Sequence, residues 1–305
     1  MMKRLLYKAF VFSIPIIAIV LFFEYYIRTR PSVYRSKRDN LIENADSVRI
    51  LIMGNSHSTY GLNPNLFSEY AYNLAFEAQS IYFDKALIDK YLSILPNLKY
   101  LILEIDYGNL CQKRSENRDF FYKYYFDISY KGEHFVKEYL LQSVFVHSFK
   151  ETWSLYWIDN KNGKVNPADA KGWTARSTHR EDDVVGYDKN RIVAARFNES
   201  FKSFTGNEEE LLLVEQAIET LKARGVNPVL ITCPIYKSLR SLLDKDVTQK
   251  VAEEGRFLAE KFDIQYLNFF SDDSFEAADY FDSDHLNDSG AAKLTLKVDS
   301  LIENR

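Results

Sequence analysis

The longest uninterrupted apolar pattern lies at the amino terminus, where residues 9–23 are uncharged and mostly hydrophobic between Lys3, Arg4 and Lys8 on one side and Glu24, Arg28 and Arg30 on the other. If the helix extends over 5–27, with Lys8 and Glu24 snorkelling towards water, it reaches the roughly 20 residues that a bilayer requires. Residues 1–30 are therefore predicted to form a transmembrane anchor. A cleaved signal peptide is the rival reading, but the bulky Glu24-Tyr25-Tyr26-Ile27 offers no small-x-small cleavage site. Basic residues continue beyond the span at Arg35, Lys37 and Arg38, so the positive-inside rule gives only a weak vote on orientation.

After a polar stretch over 31–47, expected to be a linker, the pattern becomes that of a folded domain over 48–305. Short β-branched apolar runs at 48–53, 100–105 and 228–233 have the form of buried parallel strands. Between them lie helical periods at 81–95 and at 208–224, the latter with apolar residues at Leu211, Leu212, Val214, Ala217, Ile218 and Leu221 and Gly225 as its stop. A helix over 251–262, a strand over 264–267 and a last helix over 289–302 continue the alternation. Strands alternating with helices imply βαβ units, and so an α/β domain with one core and a parallel sheet covered on both faces. Residues from about 111 to 203 break this rhythm and are dense in aromatics, among them Phe120, Phe121, Tyr122, Trp153, Trp157 and Trp173. They read as an insertion that either caps the sheet with extra core or walls a groove.

Composition narrows the function classes. At 46% hydrophobic and 27% charged the chain can bury a sizeable core, and a net charge of −4 gives no footprint of a nucleic-acid binder. Cys111 and Cys233 show no ligand spacing, and a disulfide and two buried thiols are equally open readings. The histidines at 57, 134, 147, 179 and 285 show none either, so no metal is expected. There is no glycine-rich phosphate loop, and no cofactor is expected.

Two local motifs carry candidate chemistry. Gly54-Asn55-Ser56-His57-Ser58 directly follows the first strand, which sets Ser56 on a strand-to-helix turn at the carboxyl edge of the sheet, where open α/β sheets bind ligands. Near the far end, Asp282-Ser283-Asp284-His285 precedes the final helix. Serine needs an imidazole to take its proton, and the imidazole needs a carboxylate to fix its tautomer, so Asp282 and His285 are the matching half.

With Ser56 early and Asp282/His285 late, in that order, the chain resembles the SGNH (GDSL-type) hydrolase superfamily over roughly 48–110 and 208–303. Gly61-Leu62-Asn63-Pro64 after the serine turn looks like the membrane-anchored branch similar to the D-alanyl transfer protein of teichoic acid modification. The resemblance implies a flavodoxin-like three-layer sandwich with a central parallel sheet, a Ser56–His285–Asp282 triad, and an extracytoplasmic domain in a bacterial envelope. It also implies an oxyanion hole built from Ser56, from Ala78 five positions after Asn73, and from Asn109, which stands one place late in Asp106-Tyr107-Gly108-Asn109. His57 and Asn73 are candidate supports. The implied activity is acyl ester hydrolysis or O-acyl transfer on envelope glycan or lipid-linked carbohydrate, with a membrane-bound acyltransferase as a candidate partner. The alternative is an idle SGNH-like module that binds polysaccharide or a membrane protein.

Overall fold

The structure is a computed structural model that describes residues 2–112, 118–132, 149–162, 168–177, 181–202 and 207–303. The apolar amino terminus forms helix α1 (Met2–Thr29), long and apolar enough to cross a membrane, and none of its most apolar window is buried in the protein. Only Arg30, Pro31 and Ser32 separate it from α2 (Val33–Glu43), which occupies residues expected to be a linker. Ser32 caps α2 by accepting from the Arg35 N–H, and Tyr34, Lys37 and Leu41 on one face are buried against the domain. A lysine in a core position hides this face from a hydrophobicity pattern. The Lys37 Nζ donates to the Ala75 carbonyl at 2.7 Å and to Asn73 Oδ1 at 3.3 Å. Burial pushes its pKa down to about 7, with Asp169 opposing.

Strand β1 (Ile50–Met53) leads into α3 (Ser56–Gly61), then β2 (Ala71–Asn73), α4 (Ile81–Tyr91), β3 (Tyr100–Glu104) and α5 (Tyr107–Leu110). The described parts of the insertion include the helices α6 (Asp119–Phe126), α7 (Phe149–Asn162), α8 (Glu181–Val185) and α9 (Tyr187–Lys202), while 168–177 is irregular. The chain then returns to alternation through α10 (Glu208–Ala223), β4 (Asn227–Thr232), α11 (Lys237–Arg240), α12 (Lys245–Phe262), β5 (Gln265–Asn268) and α13 (Asp288–Glu303). All five strands pair in parallel in the order β2-β1-β3-β4-β5. The edge strand β2 is unanticipated, because three residues are too short to show a period. Helix α12 starts earlier than its apolar period, where Asp244 caps it by accepting from the N–H groups of Asp246 and Val247.

Side chains alternate across a strand, so each strand feeds two cores. Leu51, Met53, Leu101, Leu103 and Leu230 join the core beneath α2, α4, α10 and α12, while Ile50, Ile52, Ile102, Val229 and Ile231 join one beneath α13. This is the three-layer sandwich with a central parallel sheet that the sequence implies. The aromatics of α6 extend the first core: Tyr122 stacks on Phe83 with ring centroids 3.8 Å apart, and Phe121 stacks on Tyr34 at 4.8 Å. Cys111 and Cys233 are free and buried.

Candidate active site

The turn after β1 is shaped by a close approach of two strands' ends. Gly54 has φ of +138°, and a Cβ there would lie 2.4 Å from the Glu104 Cβ, so no other residue fits without displacing β3. Asn55 caps α3 with its side chain accepting from the His57 N–H at 2.9 Å. Glu104 Oε2 accepts from the N–H groups of Asn55 at 3.0 Å and Ser58 at 2.9 Å. Among the described residues the Ser56 N–H has no acceptor, so it remains available to a bound anion.

The loop before α13 presents the partner groups. It is closed by an antiparallel bridge between Tyr280 and Leu286, and Asp282 Oδ1 accepts from the N–H groups of Asp284 at 2.9 Å and His285 at 2.8 Å. The same carboxylate accepts from His285 Nδ1 at 3.0 Å, which leaves the Nε2 lone pair facing Ser56 Oγ at 2.9 Å. Burial alone would raise the Asp282 pKa; its hydrogen bond and electrostatic attraction to the His285 ring outweigh it and hold the carboxyl below its usual value. Arg176, from the insertion, stacks over Tyr60 at 3.7 Å and Phe281 at 4.6 Å, and approaches Asp282 Oδ2 to 4.0 Å. Folding thus brings Ser56, Asp282 and His285 into one hydrogen-bonded line.

Beneath this line lies a buried charged cluster that sequence reasoning missed. His57 Nδ1 faces Asp106 Oδ2 at 2.6 Å and Glu104 Oε1 at 3.2 Å, while Nε2 faces Asp284 Oδ1 at 3.1 Å. Burial would lower the His57 pKa, but the Asp284 charge and hydrogen bonds to Asp106, Asp284 and Glu104 raise it well above 6.5. Both ring nitrogens face carboxylate oxygens, an arrangement that favours the protonated ring. Burial opposes ionisation of Asp284 too, yet the His57 charge and hydrogen bonds from His57 and Tyr107 hold it below its usual value. Asp284 Oδ2 stands 4.0 Å from His285 Nε2, and the two imidazole centroids are 5.3 Å apart. The groupings His57–Glu104–Asp106 and His57–Asp284–His285 are tight enough for a cation. A cation bound at either grouping would have to displace a His57 proton.

A cleft of about 240 Å³ opens beside Ser56 and His285, lined also by Ala78, Gly108, Gln112 and, from α9, Arg196 and Phe197. The insertion therefore both extends the core and walls the groove. Ala78 holds φ of +52° in a turn closed by Gln79 N–H to the Phe76 carbonyl, and its own N–H has no acceptor among the described residues. Asn109, the remaining expected donor, and Asn73, a candidate support, are both engaged in structural hydrogen bonds. Asn109 Oδ1 accepts from the Asp106 N–H at 2.9 Å and its Nδ2 donates to the Glu104 carbonyl at 2.9 Å, a capping box that holds α5. Asn73 Nδ2 donates to the carbonyls of Ser58 and Leu62, tying α3 to β2. Gln112 instead carries a buried amide nitrogen with no partner among the described residues. No local pattern marks it, since it follows α5 at the mouth of the insertion. The histidines at 134, 147 and 179 lie outside the described residues.

No family model matches the chain, and no curated protein matches it. Among solved structures it is similar to a Bacteroides fragilis protein described as an acylhydrolase, at TM-score 0.44 and 12% identity over 88% of this chain and 95% of that one. It is also similar to a GDSL-like lipase from Bacteroides thetaiotaomicron, at TM-score 0.42 and 12% identity over 90% and 99%. A catalytic mutant of an acetylxylan esterase from Geobacillus stearothermophilus follows at TM-score 0.38 and 10% identity, over 85% and 94%.

Proposed function

We propose that this chain is a membrane-anchored serine acyl ester hydrolase or O-acyltransferase, its domain facing the outside of a bacterial envelope. Its substrates would be acylated envelope glycan or lipid-linked carbohydrate. The observation that carries the reading is the 2.9 Å contact of Ser56 Oγ with a His285 ring whose other nitrogen is held by Asp282. His285 Nε2 takes the Ser56 proton as Oγ attacks the ester carbonyl. The N–H groups of Ser56 and Ala78 hold the oxyanion, each such donor contributing about 3 kcal/mol of transition-state stabilisation. His285 returns its proton to the departing alcohol, leaving Ser56 acylated. Water or a sugar hydroxyl, deprotonated by His285, then releases the acyl group; a membrane-bound acyltransferase is the candidate source when the reaction runs as transfer.

Two variants and two substrates test this. Acyl release from extracted envelope glycans and from a simple aryl acetate should fall to background in Ser56→Ala. In Asp282→Asn, where the imidazole loses its tautomer, kcat should drop about 10³–10⁴-fold. A wild-type rate equal to that of Ser56→Ala on both substrates would leave only a binding module.

A further inference from the structure

We infer that the insertion helix α7 is a second membrane contact, an aromatic belt that seats the domain in the interfacial layer of the bilayer crossed by α1. The inference rests on α1 being the membrane span. From Phe22 onward α1 is no longer alone: Phe23, Tyr26 and Ile27 are buried, with Tyr156 of α7 packed against them. The Tyr156 ring lies edge-on to Phe22 at 5.5 Å, Phe23 at 5.8 Å and Tyr26 at 5.3 Å, and Trp153 lies 5.5 Å from Phe23. One to two turns further along both helices the contact turns polar, as Asp159 accepts from Tyr26 OH at 2.5 Å and from Arg30 at 2.7 and 3.1 Å. The two helices therefore run side by side, and their contact passes from apolar to charged where the span itself ends.

What α7 turns outward fits that depth. Trp153 is 48% exposed, Trp157 56% and Ile158 48%, and the two indoles, 6.0 Å apart, continue the exposed apolar surface of α1. Indoles favour the headgroup region because their rings are apolar and their N–H groups need a polar partner. A domain on a long tether would not hold such a face at one depth. Here the join is short and anchored: Tyr34 and Lys37 of α2 are buried in the domain, and Arg28 lies 5.4 Å over Tyr124 of α6. The continuity of the α7 face with the anchor selects lipid, and not a soluble partner, as its occupant.

The test uses the full chain reconstituted into phosphatidylcholine vesicles, either plain or brominated high on the acyl chains, with flotation to confirm insertion. Bromine should quench tryptophan emission of the wild type. The quenching should vanish in Trp153→Phe/Trp157→Phe, which retains only Trp173; both altered positions are exposed, so the fold is kept. Floating protein whose emission ignores bromine would overturn the proposal while sparing the anchor, and would assign the face to a protein partner. Equal quenching of the double variant would overturn it as well, by placing Trp173 at the lipid. Failure to float would overturn the anchor and the proposal together, and none of these results depends on whether Ser56 is reactive.

Discussion

The side chains that touch at the site differ in how they reach it. Ser56 and the Asp282/His285 pair each sit in a short motif at a hand-off between strand and helix, so their types and spacing are visible in sequence. Glu104, Asp106 and Asp284 are not visible in this way, because each gains its role only when pairing of β1 with β3 and packing of the α13 loop enclose His57. The residues expected to line an oxyanion hole divide by the same logic. Ala78 offers a backbone donor, whereas Asn109 is drawn into a cap by Asp106, and nothing local signals that competition. His57 is expected to hold this cluster together. Replacing it in His57→Gln leaves buried carboxylates without their cation, which costs roughly 3–5 kcal/mol. Its folded-state pKa is raised, so its contribution is full below pH 6.5 and is lost as pH climbs through the folded value. Denaturant midpoints of wild type and variant should therefore differ most near pH 6 and converge at alkaline pH. A difference that does not change with pH would remove the imidazolium.

Among the elements, β1, β3 and β4 were legible as buried apolar runs and α10 by its amphipathic period. Helix α2 was not, since its core face reads Tyr34, Lys37, Leu41 and a lysine there imitates a solvated linker. That lysine imposes a pH dependence. With a folded-state pKa of about 7 against the usual 10.5, Lys37 is charged in both states at lower pH, and between the two values only the unfolded chain binds the proton. Stability should rise with pH across that window, by at most about 1.4 kcal/mol per unit from this group. In Lys37→Met that part of the slope should disappear, as measured by chemical unfolding at several pH values. An unchanged slope would place the amine in water.

The whole molecule joins a rim carrying Ser56, Asp282 and His285, assembled from segments near both ends of the domain, to the long apolar helix α1, which meets the domain through α2 and two helices of the insertion. Sequence order alone conveyed the pairing of the two ends; it could not convey that the insertion would supply Arg176 to the rim and Arg196 to the cleft wall, because those residues have no local motif. The proposed esterase chemistry requires a reactive serine, and that reactivity can be read without knowing the acyl group or its acceptor. Purified full-length protein should be labelled by a fluorophosphonate probe at Ser56, with labelling abolished in Ser56→Ala and nearly so in His285→Ala. Folded wild-type protein that never takes the label, or a Ser56→Ala variant labelled as strongly, would contradict the account.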